Sequence, residues 1–251
     1  MTAVRLAVGA GPTATLARAL REGAPEDRPG LLVSYAYLAE WSRIRREARF
    51  RDWVLDSGAF SAHKSGTKIE LAAYIETCKR LLATDPLLVE VFALDVIGDW
   101  RASLRNCEAM WRDGVRAIPC FHGGEPWDVL IGLARDYPKI ALGGVVGWRA
   151  QPKLAWVGQC FARAWPAKIH GFGMSGVTML RSFPFHSVDA TNWEMGPCAF
   201  GQWATYGRVH GLKSHSVSLR VEVDHYLKLE RETRWRWRNE LARLEAMEEK
   251  R

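Results

Sequence analysis

The sequence contains no run of the roughly eighteen consecutive apolar residues that a membrane-crossing helix needs. Its first residues lack the charged start, apolar stretch and small-residue cleavage site of a secretory leader, so a cytoplasmic location is expected. Cysteine is sparse and scattered: Cys78, Cys107, Cys120, Cys160 and Cys198 are odd in number, and no two share the close spacing of a zinc knuckle or a redox motif. Reduced thiols, no structural zinc and no metal site are therefore expected. Internal repeats and low-complexity tracts are missing as well, which excludes solenoids and biased linkers.

What is present fits one large core. A chain of 251 residues with 48% hydrophobic content suits a single α/β barrel better than two ordinary domains. Lys and Arg outnumber Asp and Glu by 35 to 28, a net +7 compatible with a polyanionic partner. Twelve tryptophans are many, and several stand beside arginine, as in Trp111-Arg112, Trp148-Arg149 and Arg234-Trp235-Arg236-Trp237-Arg238. Side chains that stack on bases and pair with phosphates suit nucleic acid, although tryptophan in a barrel wall gives the same pattern.

Short β-rich apolar runs recur at 3–8, 31–36, 52–56, 88–95, 115–121, 139–146, 167–173 and 185–190. Helical spacing fills 13–22, 38–49, 68–83, 100–112, 126–136, 151–164 and 176–182. Eight alternations, with strands that read as continuous apolar runs, predict parallel strands buried on both faces: a (β/α)8 barrel over 1–195. Residues 196–218 read as a loop or small subdomain carrying His210, Lys213 and His215. Residues 224–249 read as one long C-terminal helix packed on the barrel, with Tyr226, Thr233, Trp237, Leu241 and Leu244 along its apolar stripe.

Barrel chemistry sits on the loops that follow the strands. Those ends carry Asp56-Ser57-Gly58, Asp95, His122-Gly123-Gly124-Glu125, Gly143-Gly144, Gly173-Met174-Ser175-Gly176 and Asp189-Ala190-Thr191-Asn192. The opposite ends, such as Asp85-Pro86 and Tyr137-Pro138, look like plain turns. Each feature also has a structural reading: a strand-end Asp is often a helix N-cap, a Gly-Gly pair can cradle phosphate, and His122, Glu125 and His170 read as packing or surface residues.

In this order the strand-end motifs resemble the tRNA-guanine transglycosylase superfamily, and in particular its DNA-acting branch, the 7-deazaguanine DNA transglycosylases. The resemblance spans about 53–193 and lies in Leu55-Asp56-Ser57-Gly58-Ala59-Phe60, Ala93-Leu94-Asp95, Leu142-Gly143-Gly144-Val145-Val146-Gly147, His170-Gly171-Phe172-Gly173 and Ser187-Val188-Asp189. It implies a base exchange that needs no cofactor, with Asp189 as nucleophile, Asp56 as acid/base and Asp95 as acceptor of the guanine edge. Ser57 and Gly58 would shape the same loop, and Gly143 and Gly144 would let backbone amides approach the base oxygen. Phe172 or Met174, beside Gly173, would cover the base. The sequence departs from the tRNA enzymes in lacking their zinc insertion, in Ala59 and Ser61, and in the segment after Asp189, which favours DNA as polymer and a free 7-deazaguanine as second substrate.

Phosphates would be held by Arg43, Arg45, Arg46, Arg49 and Lys213, with a second cluster at Arg234, Arg236 and Arg238, and binding would weaken steeply with salt. Either run also reads as a solvated helix face. Other functions open to the sequence are base exchange in tRNA, a barrel enzyme for a small phosphorylated metabolite, and a catalytically silent nucleic-acid binder.

Overall fold

Eight parallel strands close into a ring in the computed structural model, which describes residues 2–8, 13–21, 23, 24, 26–209 and 219–248. The strands are β1 (Ala3–Val8), β2 (Gly30–Ser34), β3 (Trp53–Asp56), β4 (Leu88–Val91), β5 (Cys120–His122), β6 (Lys139–Gly143), β7 (Lys168–Gly171) and β8 (Ser187–Ala190). Their order is β4-β3-β2-β1-β8-β7-β6-β5. The two ends meet where Phe92 bridges Ile118, with Ala93 N–H donating to Ile118 and Ile118 N–H donating to Val91. Between the strands run α1 (Thr13–Arg21), α2 (Leu38–Ile44), α3 (Ala59–Ser65), α4 (Leu71–Thr84), α5 (Trp100–Arg112), α6 (Trp127–Asp136), α7 (Ala150–Ala164) and α8 (Val177–Ser182). The expected (β/α)8 barrel is the fold observed, and every expected strand is found in place. The sequence reading missed α3, a short helix that starts from left-handed Gly58 and stops at left-handed Gly66.

Alternation along the strands sorts side chains between two cores. Outward residues such as Leu31, Val33, Leu55 and Leu142 join the helices in the larger one. Inside the barrel, Leu32, Val54, Phe92, Ile118, Cys120 and Ala141 form a separate cluster, with Phe172 packed against it. Phe92 of the β4 side reaches across to β7, its ring centroid 4.7 Å from those of both His170 and Phe172. Below this apolar layer, towards the strands' N-terminal ends, Arg5 pairs with Asp52, and Lys139 Nζ contacts both oxygens of Glu90 at 2.7 Å. Above it come Ser34, Asp56, His122, Gly143 and Asp189 at the strands' C-terminal ends.

The last turn of the ring comes from α10 (Arg220–Arg236), which follows the short α9 (Asn192–Met195) and packs against β1, α1, α8 and α9. It therefore fills the place of the eighth outer helix. Glu230 on α10 is buried; it accepts Val4 N–H at 2.8 Å and pairs with Arg51 at 3.0 Å and Arg234 at 2.8 Å. Where one helix was expected there are two: the chain breaks at Trp237, whose indole N–H donates to Leu180 O at 2.7 Å, and α11 (Arg238–Glu248) follows. In the segment before α10, Gln202–Trp203 and Gly207–Arg208 form a hairpin. Buried Glu222 holds it by accepting from Ala204 N–H, Thr205 N–H and Thr205 Oγ1. Lys213, His210 and His215 lie outside the described residues.

Glu230→Ala removes the buried carboxylate shared by Arg51, Arg234 and Val4 N–H at the barrel floor, and it is expected to destabilise the protein by roughly 3 kcal/mol. Urea unfolding followed by tryptophan fluorescence measures this, with exposed Arg135→Ala as a control whose midpoint should not move.

Candidate active site

Asp56, Asp95 and Asp189 come together at the mouth of the barrel, from the ends of β3, β4 and β8. Asp56 is fixed by its own loop. Gly58 adopts a left-handed conformation (φ 77°) and its N–H returns to Asp56 Oδ2 at 3.0 Å. A side chain at Gly58 would also crowd Ala36 N and Ser34 Oγ, each 3.0 Å from an added Cβ. Ser57, assigned to the site from the sequence, is buried and accepts Ala59 N–H at 3.4 Å where α3 begins.

Burial, together with the neighbouring charges of Asp95 and Asp189, pushes the Asp56 carboxyl up to about 6 against the opposing Gly58 N–H. Asp189 is flanked from two sides: Gly173 N–H donates to Oδ1 at 2.8 Å, and His170 Nε2 lies 3.5 Å from the same oxygen. His170 is fully buried, and its desolvation lowers its pKa, so the ring is neutral. Its Nδ1 lies 2.8 Å from Ser187 Oγ. Nε2 faces Asp189 across that 3.5 Å gap but makes no hydrogen bond among the described residues.

The β4 and β5 ends form a second unit. His122 sits between two carboxylates, with Nε2 3.3 Å from Asp95 Oδ2 and Nδ1 3.0 Å from Glu125 Oε1. Glu125 is locked in turn, its Oε2 accepting His122 N–H at 3.1 Å. The Cys120 sulfur, Asp95 and Glu125 all raise the His122 pKa, overcoming the opposing effect of burial. Because burial pushes the Cys120 thiol itself up to about 12, that thiol is neutral near pH 7, and the two carboxylates keep the imidazole protonated. Asp95 is raised by burial and by Glu125 and lowered by His122. Asp95, Cys120 and His122 also offer an oxygen, a sulfur and a nitrogen within 4.8 Å of one another, a mixed donor set that sequence spacing did not reveal where no metal site was expected.

The glycine pair has a packing role here. A Cβ on Gly143 would lie 3.0 Å from Cys120 Sγ, and one on left-handed Gly144 would lie 2.8 Å from His122 Cβ. Both glycines thus make room for the β5 end. Phe172 lies under the mouth against Phe92 and His170. Met174 does not: it is buried in the outer core, turned against Gly171, because the left-handed Gly173 (φ 62°) reverses the chain before it.

The arginines assigned to phosphate binding do not join this site. Residues 45–51 connect α2 to the start of β3, which places them at the strands' N-terminal end, opposite the mouth. There Arg45 pairs with buried Asp85 at 2.6 Å and Arg43 with Glu40 at 3.2 Å, while Arg46 and Arg49 are exposed. Arg234 Nε donates to Thr2 O and Arg236 Nε to Arg181 O, both at that same end, and Arg238 bonds Trp235 O within its own turn. The charge surplus is real, but acids distant in sequence neutralise part of it.

Four functional candidates were unassigned in the sequence: His122, Glu125, His170 and Glu194. The first three follow strands or end them, a signal that was available. Glu194, five residues beyond Asp189, is buried; burial pushes it up to about 7, and its Oε1 has no hydrogen-bond partner among the described residues.

No family model and no curated protein matches the chain. Solved structures do, at the level of fold. A protein described as a fructose-1,6-biphosphate aldolase from Coccidioides immitis is 11% identical, with a TM-score of 0.55 over 92% of this chain and 90% of its own. The carboxyl transferase domain of Rhizobium etli pyruvate carboxylase with pyruvate is 14% identical, with a TM-score of 0.49 over 95% of this chain and 48% of its own. At 11% identity the likeness to the first of these is one of barrel architecture. No helix among the described residues is long and apolar enough to cross a membrane.

Proposed function

We propose that the chain is an enzyme that replaces guanine in DNA by a free 7-deazaguanine base through a covalent glycosyl intermediate on Asp189. The observation that carries this reading is the convergence of Asp56, Asp95 and Asp189 at one mouth, with the Asp56 carboxyl pushed up to about 6. Base exchange with retained configuration needs a carboxylate nucleophile and a second carboxyl that gives and takes a proton. Asp189, aimed by Gly173 N–H, attacks C1′ as the C1′–N9 bond breaks, and Asp56 gives its proton to the departing ring. The incoming base then attacks C1′ through N9, the C1′–Oδ bond of Asp189 breaks, and Asp56 takes back the N9 proton. Atoms, charge and the state of Asp56 are restored.

The target base has to leave the stack to meet carboxylates at the end of a barrel, so single-stranded or flipped-out substrate is expected. A small phosphorylated metabolite fits less well, because Asp56, Asp95, Glu125 and Asp189 surround the mouth with carboxylates. The polymer is held on the mouth side, so a salt dependence carried by Arg43–Arg49 is no longer part of the reading.

Incubation with guanine-labelled DNA or tRNA plus a 7-deazaguanine tests the proposal. Release from DNA that is abolished, by at least about a thousandfold, in Asp189→Ala is the expected result. Release from tRNA alone would transfer the reading to a tRNA substrate, and release from neither would reject base exchange. The pH profile gives a second test. Asp56 must start protonated, so kcat/KM for the polymer should fall as pH rises through about 6. Asp95→Asn removes one of the charges that raise Asp56, so in that variant the same limb should move to lower pH; an unmoved limb would detach it from Asp56.

A further inference from the structure

Across the β4–β5 seam three side chains of different chemistry turn towards one point. His122 Nε2 lies 3.3 Å from Asp95 Oδ2, and Cys120 completes a set in which an oxygen, a sulfur and a nitrogen fall within 4.8 Å of one another. The backbone makes room for them. A Cβ on Gly143 would stand 3.0 Å from Cys120 Sγ and 3.6 Å from His122 Nε2, so a side chain there would press on the sulfur beside the ring nitrogen. A tetrahedral zinc ion at about 2.0–2.1 Å from nitrogen and oxygen sets those two ligands about 3.3 Å apart, which is the separation found here.

The groups behind the three donors are a second, independent observation. Glu125 Oε1 lies 3.0 Å from His122 Nδ1, and its other oxygen accepts His122 N–H at 3.1 Å, so it cannot swing away. A carboxylate on the far ring nitrogen fixes the tautomer whose lone pair points from Nε2, the support that metal-bound histidines commonly have. The Asp95 loop is pinned on both sides: Asn106 Nδ2 donates to Leu94 O at 2.9 Å, and Val96 N–H donates to Ser103 Oγ at 2.8 Å.

We propose that Asp95, Cys120 and His122 are the protein ligands of one zinc ion, with Glu125 as the outer carboxylate that orients His122. A sulfur and an imidazole beside a single carboxylate select zinc over magnesium or calcium, which prefer all-oxygen shells. Cys120 is buried whereas Asp95 and His122 are partly exposed, so the ion enters from the mouth. Without it, the imidazolium carries the positive charge beside Asp95. Entry of the ion displaces the protons of Nε2 and of the thiol and puts its own charge in their place. Three protein ligands leave a fourth position for water or a substrate group. Asp56 and Asp189 are not ligands, and the inference does not rest on the base-exchange reading.

The test loads the full chain, stripped with a chelator, with zinc or cobalt(II), and reads metal content after desalting and the cobalt absorption spectrum. The expected result is one zinc per chain, and a thiolate-to-cobalt charge-transfer band with the intense visible bands of a four-coordinate ion. Cys120→Ser should lose the charge-transfer band. Cys198→Ser, which removes the least buried of the five thiols, should leave it unchanged. Glu125→Gln should keep the band and weaken zinc roughly tenfold. Near-ultraviolet circular dichroism of the tryptophans certifies folding of each variant. Should Cys120→Ser fail to fold, Asp95→Asn takes its place, keeping the band while weakening zinc by at least about tenfold. Protein that emerges from desalting without zinc overturns the proposal. So does a charge-transfer band that survives Cys120→Ser or vanishes in Cys198→Ser. Every readout is of the ion itself, so failure here leaves base exchange standing.

Discussion

Carboxylates set side by side repel one another, and a dry floor makes the repulsion stronger than it is in water. At this mouth the floor is Phe92 and Phe172, and the strand register brings Asp56, Asp95 and Asp189 above it. The remaining polar architecture answers that single constraint in three ways. Asp56 keeps its proton to higher pH, Asp189 receives an N–H and a neutral histidine, and Asp95 receives a cation. Three chemically identical side chains thereby acquire three different surroundings, and the proposed acid, nucleophile and recognition group rest on that difference.

The same layering explains the opposite end. Charged groups also line the bottom of the barrel, but there each meets an opposite charge: Arg5 with Asp52, Lys139 with Glu90, Arg51 and Arg234 with Glu230. Complementary pairs close that end, while at the upper end the carboxylates outnumber the one histidine set between two of them. The polarity of the barrel is written in which charges are matched.

Most of the barrel was legible in the sequence, because parallel strands buried on both faces read as apolar runs and each is followed by its helix. The three aspartates were legible as well, since a strand end fixes which face a residue reaches. What escaped depended on partners far away in the chain. The run from Arg43 to Arg51 reads as an unpaired positive patch until Asp85 and Glu230 arrive from other elements. Met174 sits two residues from Phe172, yet the left-handed turn at Gly173 sends it into the other core. His122 could be seen at a strand end, but its charge could not, because that depends on Asp95 across the β4–β5 seam.

The closure of the ring by α10 bears on how the protein is made. β1 precedes the other seven strands of the barrel, and its neighbour β8 and its covering helix lie far later in the chain. Asp189 lies on β8 opposite Arg5 of β1, so this carboxylate reaches its place only when β8 joins β1. Such long-range pairing is slow to form, and a nascent chain still on the ribosome holds its first strand with one edge open. The three carboxylates are thus brought together only once β8 has been made, and a chain broken before β8 would carry Asp56 and Asp95 without Asp189.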